Sequence, residues 1–192
     1  GGGGRISIQL SKPGLTFEEF KKSFTGEVSA AGGFSTNSST PKSPGGAGTV
    51  YIETAADADK GVMIVKNKEW KNATHGPVTP IGANIVWNVS ALVLETNGRV
   101  SVRETGILQI PRFSAIIGDG SESALLQFNG GTVSSDIKHD KLIADGFDVE
   151  NIGTSSFAEH TLVIPDGSSL KIGGDFTVGA LIMGRTRIAA GD

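Results

Sequence analysis

The sequence predicts an all-β fold, a parallel β-helix in which short strands wind into coils, and three observations predict it. The inward positions are uniformly aliphatic, as in Leu92 and Leu94, Val100 and Val102, and Leu108 and Ile110, which is what stacked ladders require. Many strands carry only two inward residues, with centres roughly 7–10 residues apart. Glycine recurs between them, in Asn97-Gly98, Asp119-Gly120, Asn129-Gly130, Asp166-Gly167 and Gly173-Gly174. Three strands to a coil would stack each strand on its equivalent about 20–27 residues later. The same spacing also suits an antiparallel β-sandwich, the alternative fold.

The first element is a glycine run that turns directly into a strand, Gly1-Gly2-Gly3-Gly4-Arg5-Ile6-Ser7-Ile8, and Gly45-Gly46-Ala47-Gly48-Thr49-Val50-Tyr51-Ile52 repeats it. Glycines here let two backbones approach closely, and the strand is placed by them. After the Pro13-Gly14 turn, Thr16 to Phe24 predicts the one helix. Thr16 is its N-cap and Glu19 the capping-box partner, and Phe17, Phe20 and Phe24 form a stripe expected to cover core. Gly26 to Gly33 reads as a small-residue strand and Ser35 to Pro44 as an exposed loop. A second long loop is expected over residues 66–82, and regular short-strand coils over 85–190. The whole of 1–192 is read as a single domain, with glycine-rich coils over residues 1–53.

These opening segments resemble the glycine-rich β-helical repeats of large secreted or cell-surface proteins. The strands run in the same order: Gly1 to Ile6, then Phe24-Thr25-Gly26-Glu27-Val28-Ser29-Ala30-Ala31-Gly32-Gly33, then Gly45 to Ile52. Later coils such as Leu162-Val163-Ile164-Pro165-Asp166-Gly167-Ser168-Ser169-Leu170-Lys171-Ile172 look like generic right-handed β-helix and adhesin coils. The resemblance implies a pectin-lyase-like solenoid used as an extracellular scaffold, adhesin or filament component. It carries over no catalytic residues and no cofactor. Because the open ends of such a rod carry unpaired strand groups, the expected partners are neighbouring coils of a longer chain or other copies joined end to end, with glycans as the partner under the carbohydrate-binding alternative.

Composition narrows the function classes. Net charge is −3 and 19% of residues are charged, so there is no basic field to hold nucleic acid. Cysteine is absent, which removes disulfides, thiolate metal sites and cysteine nucleophiles. No apolar run approaches the roughly 18 residues of a spanning helix, so no membrane span is expected. The chain starts on glycine and is expected to be a piece of something longer. Asn37, Asn72 and Asn88 open Asn-x-Ser/Thr sequons and are candidate glycosylation sites.

Chemistry is sparser. The run Asp136-Ile137-Lys138-His139-Asp140-Lys141 would place Asp136, Lys138 and Asp140 on one face if extended, an acid and a base together, although a charged run of this kind also suits a solvated face. A polysaccharide lyase or glycoside hydrolase is the enzymatic alternative on this fold. His75, His139 and His160 show no ligand spacing, so no metal site is assigned. Asp57, Asp59, Asp119 and Glu122 sit at turns where carboxylates can meet calcium, but no calcium-loop pattern is complete. The glycine runs lack the Lys-Ser/Thr of a phosphate loop. Trp70, in the polar loop, is the candidate carbohydrate contact, ahead of Trp87 and Tyr51.

Overall fold

The computed structural model describes residues 2–33, 45–68, 77–121, 123–151, 155–185 and 188–190. It is 47% strand with little helix, so the class is all-β. The elements in chain order are β1 (Arg5–Leu10), α1 (Phe17–Ser23), β2 (Thr49–Thr54), β3 (Val62–Lys66), β4 (Thr79–Ile81), β5 (Val86–Asn88) and β6 (Ala91–Glu95). There follow β7 (Arg99–Arg103), β8 (Ile107–Ile110), a 3-10 turn at Phe113–Ala115, β9 (Ile116–Gly118), β10 (Leu125–Asn129) and β11 (Thr132–Ser135). The last are β12 (Lys141–Ile143), β13 (Asp148–Asn151), β14 (Ser155–Ile164), β15 (Leu170–Ile172), β16 (Phe176–Met183) and β17 (Ile188–Ala190).

The strands form several short sheets, ordered β1-β2-β3-β6-β9, β17-β15-β13-β10-β7-β4, β11-β8-β5 and β12-β14-β16. The pairing between these strands is parallel except for β2 with β3, where Val50 faces Ile64. Parallel partners beyond β2 lie between 18 residues apart, Leu170 with Ile188, and 29 apart, Val62 with Ala91. Asn97-Gly98 therefore does not close a hairpin: it connects β6 to β7, which belong to different sheets. Left-handed backbone is needed at these corners, and Asn97 (φ 62°), Gly120 (φ 76°), Gly146 (φ 76°) and Gly167 (φ 90°) supply it one corner after another.

Burial explains why the strands alternate. Val100, Val102, Leu108, Ile110, Leu126, Leu142, Leu162 and Leu170 are at most 1% exposed and belong to the main core. In register these become ladders, such as Val100 with Leu126 and Leu126 with Val149. A second, smaller core lies on the opposite face of the β1-β2-β3 region, where Val50, Ile52 and Ala30 pack with Ile6, Ile8, Phe17, Phe20 and Ile64. Tyr51, between Val50 and Ile52, packs against the main core instead and donates its hydroxyl to Glu53 while accepting from Gly61 N at 2.6 Å. Burial pushes its phenol above the usual value.

The two glycine-to-strand motifs stack on each other, Ile6 opposite Val50 and Ile8 opposite Ile52. The backbones touch: Gly3 N donates to Gly46 O at 2.9 Å and Gly48 N to Ala30 O at 2.7 Å. Helix α1 carries the expected capping box, with Glu19 N donating to Thr16 Oγ1 and Thr16 N to Glu19 Oε2. The hydrogen bonds from Thr16, backbone first, hold the Glu19 carboxyl below its usual value.

Three expectations need correction. The segment 26–33 is not a ladder strand: it lies against the glycine runs through single bonds such as Gly48 N to Ala30 O, because its small residues permit close approach without in-register pairing. The 66–82 stretch contains β4, whose Pro80 is tolerated because β4 is an edge strand. The phenylalanine stripe covers core only in part, since no residue of α1 is fully buried and Phe24 is 42% exposed.

Candidate functional site

The turn after β11 gathers the charged run singled out in the sequence. The chain bends through residues 136–139 with His139 at φ 56°, so Asp136, Lys138 and Asp140 do not share an extended face. Asp140 faces inward to the chain's own donors: Ser135 Oγ at 2.6 Å, Phe113 N at 2.6 Å and Lys141 N at 2.8 Å. Burial pushes its carboxyl up, but these bonds and the neighbouring His160 outweigh it and hold the carboxyl below the usual range. Asp136 accepts from Gln109 Nε2 at 3.1 Å and faces Lys60 Nζ at 3.7 Å. Both carboxylates therefore brace neighbouring strands, and neither is left as a free base.

That bracing has a pH signature. A carboxyl whose folded-state pKa is depressed adds stability above its unfolded value, and this is lost as pH falls through the folded one. Asp119 shifts the same way: burial raises it, while bonds from Ser121 and Thr96 outweigh that. Urea midpoints of the native chain should therefore fall from about pH 5 downward. The slope should be shallower in Asp140→Asn, and an equal slope in both chains would show that Asp140 contributes nothing to acid sensitivity.

A cleft with both signs of charge lies on the outer face of β7, β10, β13 and β15. Arg99, Asp148, Glu150 and Lys171 line it around a space of ≈ 170 Å³, below the roughly 300–1,000 Å³ of ordinary ligand pockets. Lys171 Nζ is 3.1 Å from Glu150 Oε1, and Gln127 Nε2 donates to Glu150 Oε2 at 2.9 Å. Desolvation lowers the Arg99 guanidinium from its usual value against the opposing pull of Glu150 and Asp148. Its Nε is buried without a partner.

A larger cleft, ≈ 390 Å³, opens beside α1 between Phe17, Phe20, Phe24, Val28, Ile52 and Ile64. Phe20 and Phe24 stack with ring centroids 5.2 Å apart. Lys66–Glu27 and Lys21–Glu95 ion pairs, 3.6 Å and 3.9 Å long, stand at its rim.

The other sequence candidates are scattered. Asn37, Asn72, Trp70, His75 and Glu122 lie outside the described residues. Asn88 ends β5 opposite Gln109, half-buried, with Oδ1 enclosed and unpartnered, as is the Oγ of its sequon serine Ser90. Trp87 faces the main core, with Arg5 5.5 Å above its ring. His139 Nδ1 is 3.0 Å from Glu159 O, and His160 sits edge-on to Phe113 with centroids 4.8 Å apart. Asp57 accepts from Thr54 Oγ1 at 3.0 Å, and Asp59 occupies a left-handed turn position. Among the described residues, no group of three or more His, Cys, Asp or Glu side chains is placed to hold a metal, and no helix is long and apolar enough to cross a membrane.

No protein-family model, no curated protein and no solved structure matches the chain.

Proposed function

We propose that the chain is a right-handed parallel β-helix acting as a structural module of an extracellular scaffold, adhesin or filament. One observation carries the reading. The inward ladder Leu142–Leu162–Leu181 is 0% and 1% exposed at its first two rungs and 40% exposed at the last. A core that ends open in this way is completed by another coil stacked on β16, which is how repeat architectures extend. Val178, Phe176 and Met183 beside it are likewise only half-covered while packing against the main core. Right-handed winding follows the general preference of parallel crossovers. Such a protein works by spacing and display, and its stability is a sum over coils and their interfaces.

Negative-stain electron microscopy and sedimentation of the protein at rising concentration test this. Elongated particles that lengthen by end-to-end contact are expected. Isolated globules at every concentration would remove the reading.

A second reading, carbohydrate binding or cleavage on the outer face, is favoured by the juxtaposition of Arg99, Glu150 and Lys171 in one cleft. It requires uronate or neutral glycan binding on a glycan array that is lost in Glu150→Gln; no array signal would end it.

A further inference from the structure

The two ends of the stacked strands differ in chemistry. Toward the end where β1 lies, an inward ladder in each of three sheets finishes on a polar group. In the first, Ile116, Leu92 and Met63 are paired in register and buried, and the next rungs are Tyr51 and then Ser7, which is exposed. In the second, Val133 pairs with Leu108 and Leu108 with Trp87, and the guanidinium of Arg5 stands 5.5 Å from the centre of the Trp87 ring. In the third, Leu126 pairs with Val100 and Val100 with Thr79, whose hydroxyl donates to Ala47 O at 2.7 Å.

β1 is turned round relative to the strands that follow. Its apolar residues, Ile6, Ile8 and Leu10, belong to the smaller core with Phe17 and Phe20 of α1. Its alternate residues, Arg5, Ser7 and Gln9, are exposed and stand in register with Thr49, Tyr51 and Glu53, on the side where Tyr51 meets the main core. Direction changes as well. β1 and β2 run parallel to each other and antiparallel to β3, whereas β3, β6 and β9 are parallel. A coil added beyond β1 would therefore meet a polar layer and a strand running against it. Inward-pointing charged side chains on an edge strand discourage further pairing, and repeat architectures use terminal layers with a polar outer face.

At β16 the inward positions stay apolar. Leu181 and Met183 continue the rungs of Leu162 and Ile164, Val178 continues that of Phe157, and Leu181 is 40% exposed.

We infer that the β1-β2 layer, with α1 against it, is a cap that closes its end of the stack to assembly, so that copies of this chain join through their β16 ends alone and stop at two. The inference rests on the scaffold reading and narrows its partner. With one adhesive end on each copy, the partner is a second copy related by a two-fold axis, whereas two complementary adhesive ends would give an open chain of copies. The cap also accounts for the smaller core, which gives β1 and β2 apolar cover of their own on the side away from the main core.

Sedimentation velocity of the native chain from dilute to concentrated solution is the test. The weight-average mass should level off at twice that of the chain, and Leu181→Asp should hold it at that of a single chain. Ser7→Val/Gln9→Val makes the cap apolar at two exposed positions, and it should produce species of more than two copies while keeping the native circular dichroism melt. Should that variant fail to fold, single cysteines serve instead, since the chain has none of its own. A short bismaleimide should then join Leu181→Cys chains to each other and leave Ser7→Cys chains single. Native species of three or more copies, or cross-linking through position 7, overturn the cap and leave the scaffold reading standing. A folded double variant that still stops at two also overturns it, because the polar layer is then not what limits assembly. A single-chain mass at every concentration ends the scaffold reading and this inference with it.

Discussion

Replacing Gly48 by alanine should strip the first strand from the molecule, whereas the same change at Gly4 should be silent. A Cβ on Gly48 would overlap the Gly4 carbonyl oxygen and crowd the carbonyl carbon of Gly3, all backbone atoms with no rotamer to change. The clash falls where Gly3 N, Gly48 N and Thr49 N make their bonds to Gly46 O, Ala30 O and Gly4 O. Relief therefore requires separating the glycine layers and, with them, the pairing of β1 on β2. Overpacking a site typically costs about 1–3 kcal/mol, and a backbone clash without a yielding side chain belongs at or above the top of that range. Gly4, by contrast, has open space where its Cβ would stand. Urea midpoints of the two variants, with limited trypsin digestion at Arg5 and Lys12 to report on β1, make the comparison. Equal stability of Gly48→Ala and Gly4→Ala would show that the glycine layers do not hold β1 in place.

The close contact of the two glycine motifs was legible because they are copies, and copies that alternate in the same phase can stack in register. The capping box at Thr16 and Glu19 was legible too, since it is defined by spacing alone. Parallel pairing was legible in the aliphatic inward positions and the repeat length, with β2 against β3 the exception. Which strand meets which was not, since Arg99–Arg103 alternates identically whatever its partner, and Leu125–Asn129 and Thr79–Ile81 are distant in the chain. β4 was missed because Pro80 argues against a strand everywhere except at an edge, and edges are a property of the assembled sheet. The charged turn misled for a related reason. Asp136 and Asp140 look like an acid–base pair in extended chain, but the acceptor demands of Phe113 N and Ser135 Oγ draw Asp140 away. The second core was the signal overlooked: Val62–Lys66 is apolar on both faces, Val62 and Ile64 on one and Met63 and Val65 on the other, a pattern that marks a strand covered twice.

Leu162→Ala should cost about 2–5 kcal/mol, the range for emptying a closed aliphatic site, while Leu181→Ala in dilute solution should cost well under half of that. The two leucines are successive rungs of one ladder and differ in a single respect. Leu162 has Leu142 below it and Leu181 above it, and is 1% exposed; Leu181 has Leu162 below it and is 40% exposed. Chemistry and ladder register are shared, so the difference in cost measures the covering that Leu162 has and Leu181 lacks. If a further coil or a second copy stacks on β16, it buries Leu181 and turns its truncation into a cavity, so the penalty for Leu181→Ala should climb toward that of Leu162→Ala as protein concentration rises. The penalty for Leu162→Ala should stay constant over the same range. Urea midpoints for the native chain and both variants, taken from dilute to concentrated solution, separate the cases: a Leu181→Ala penalty that never changes with concentration means that β16 is an end the isolated protein leaves bare, and assembly through it would have to be abandoned.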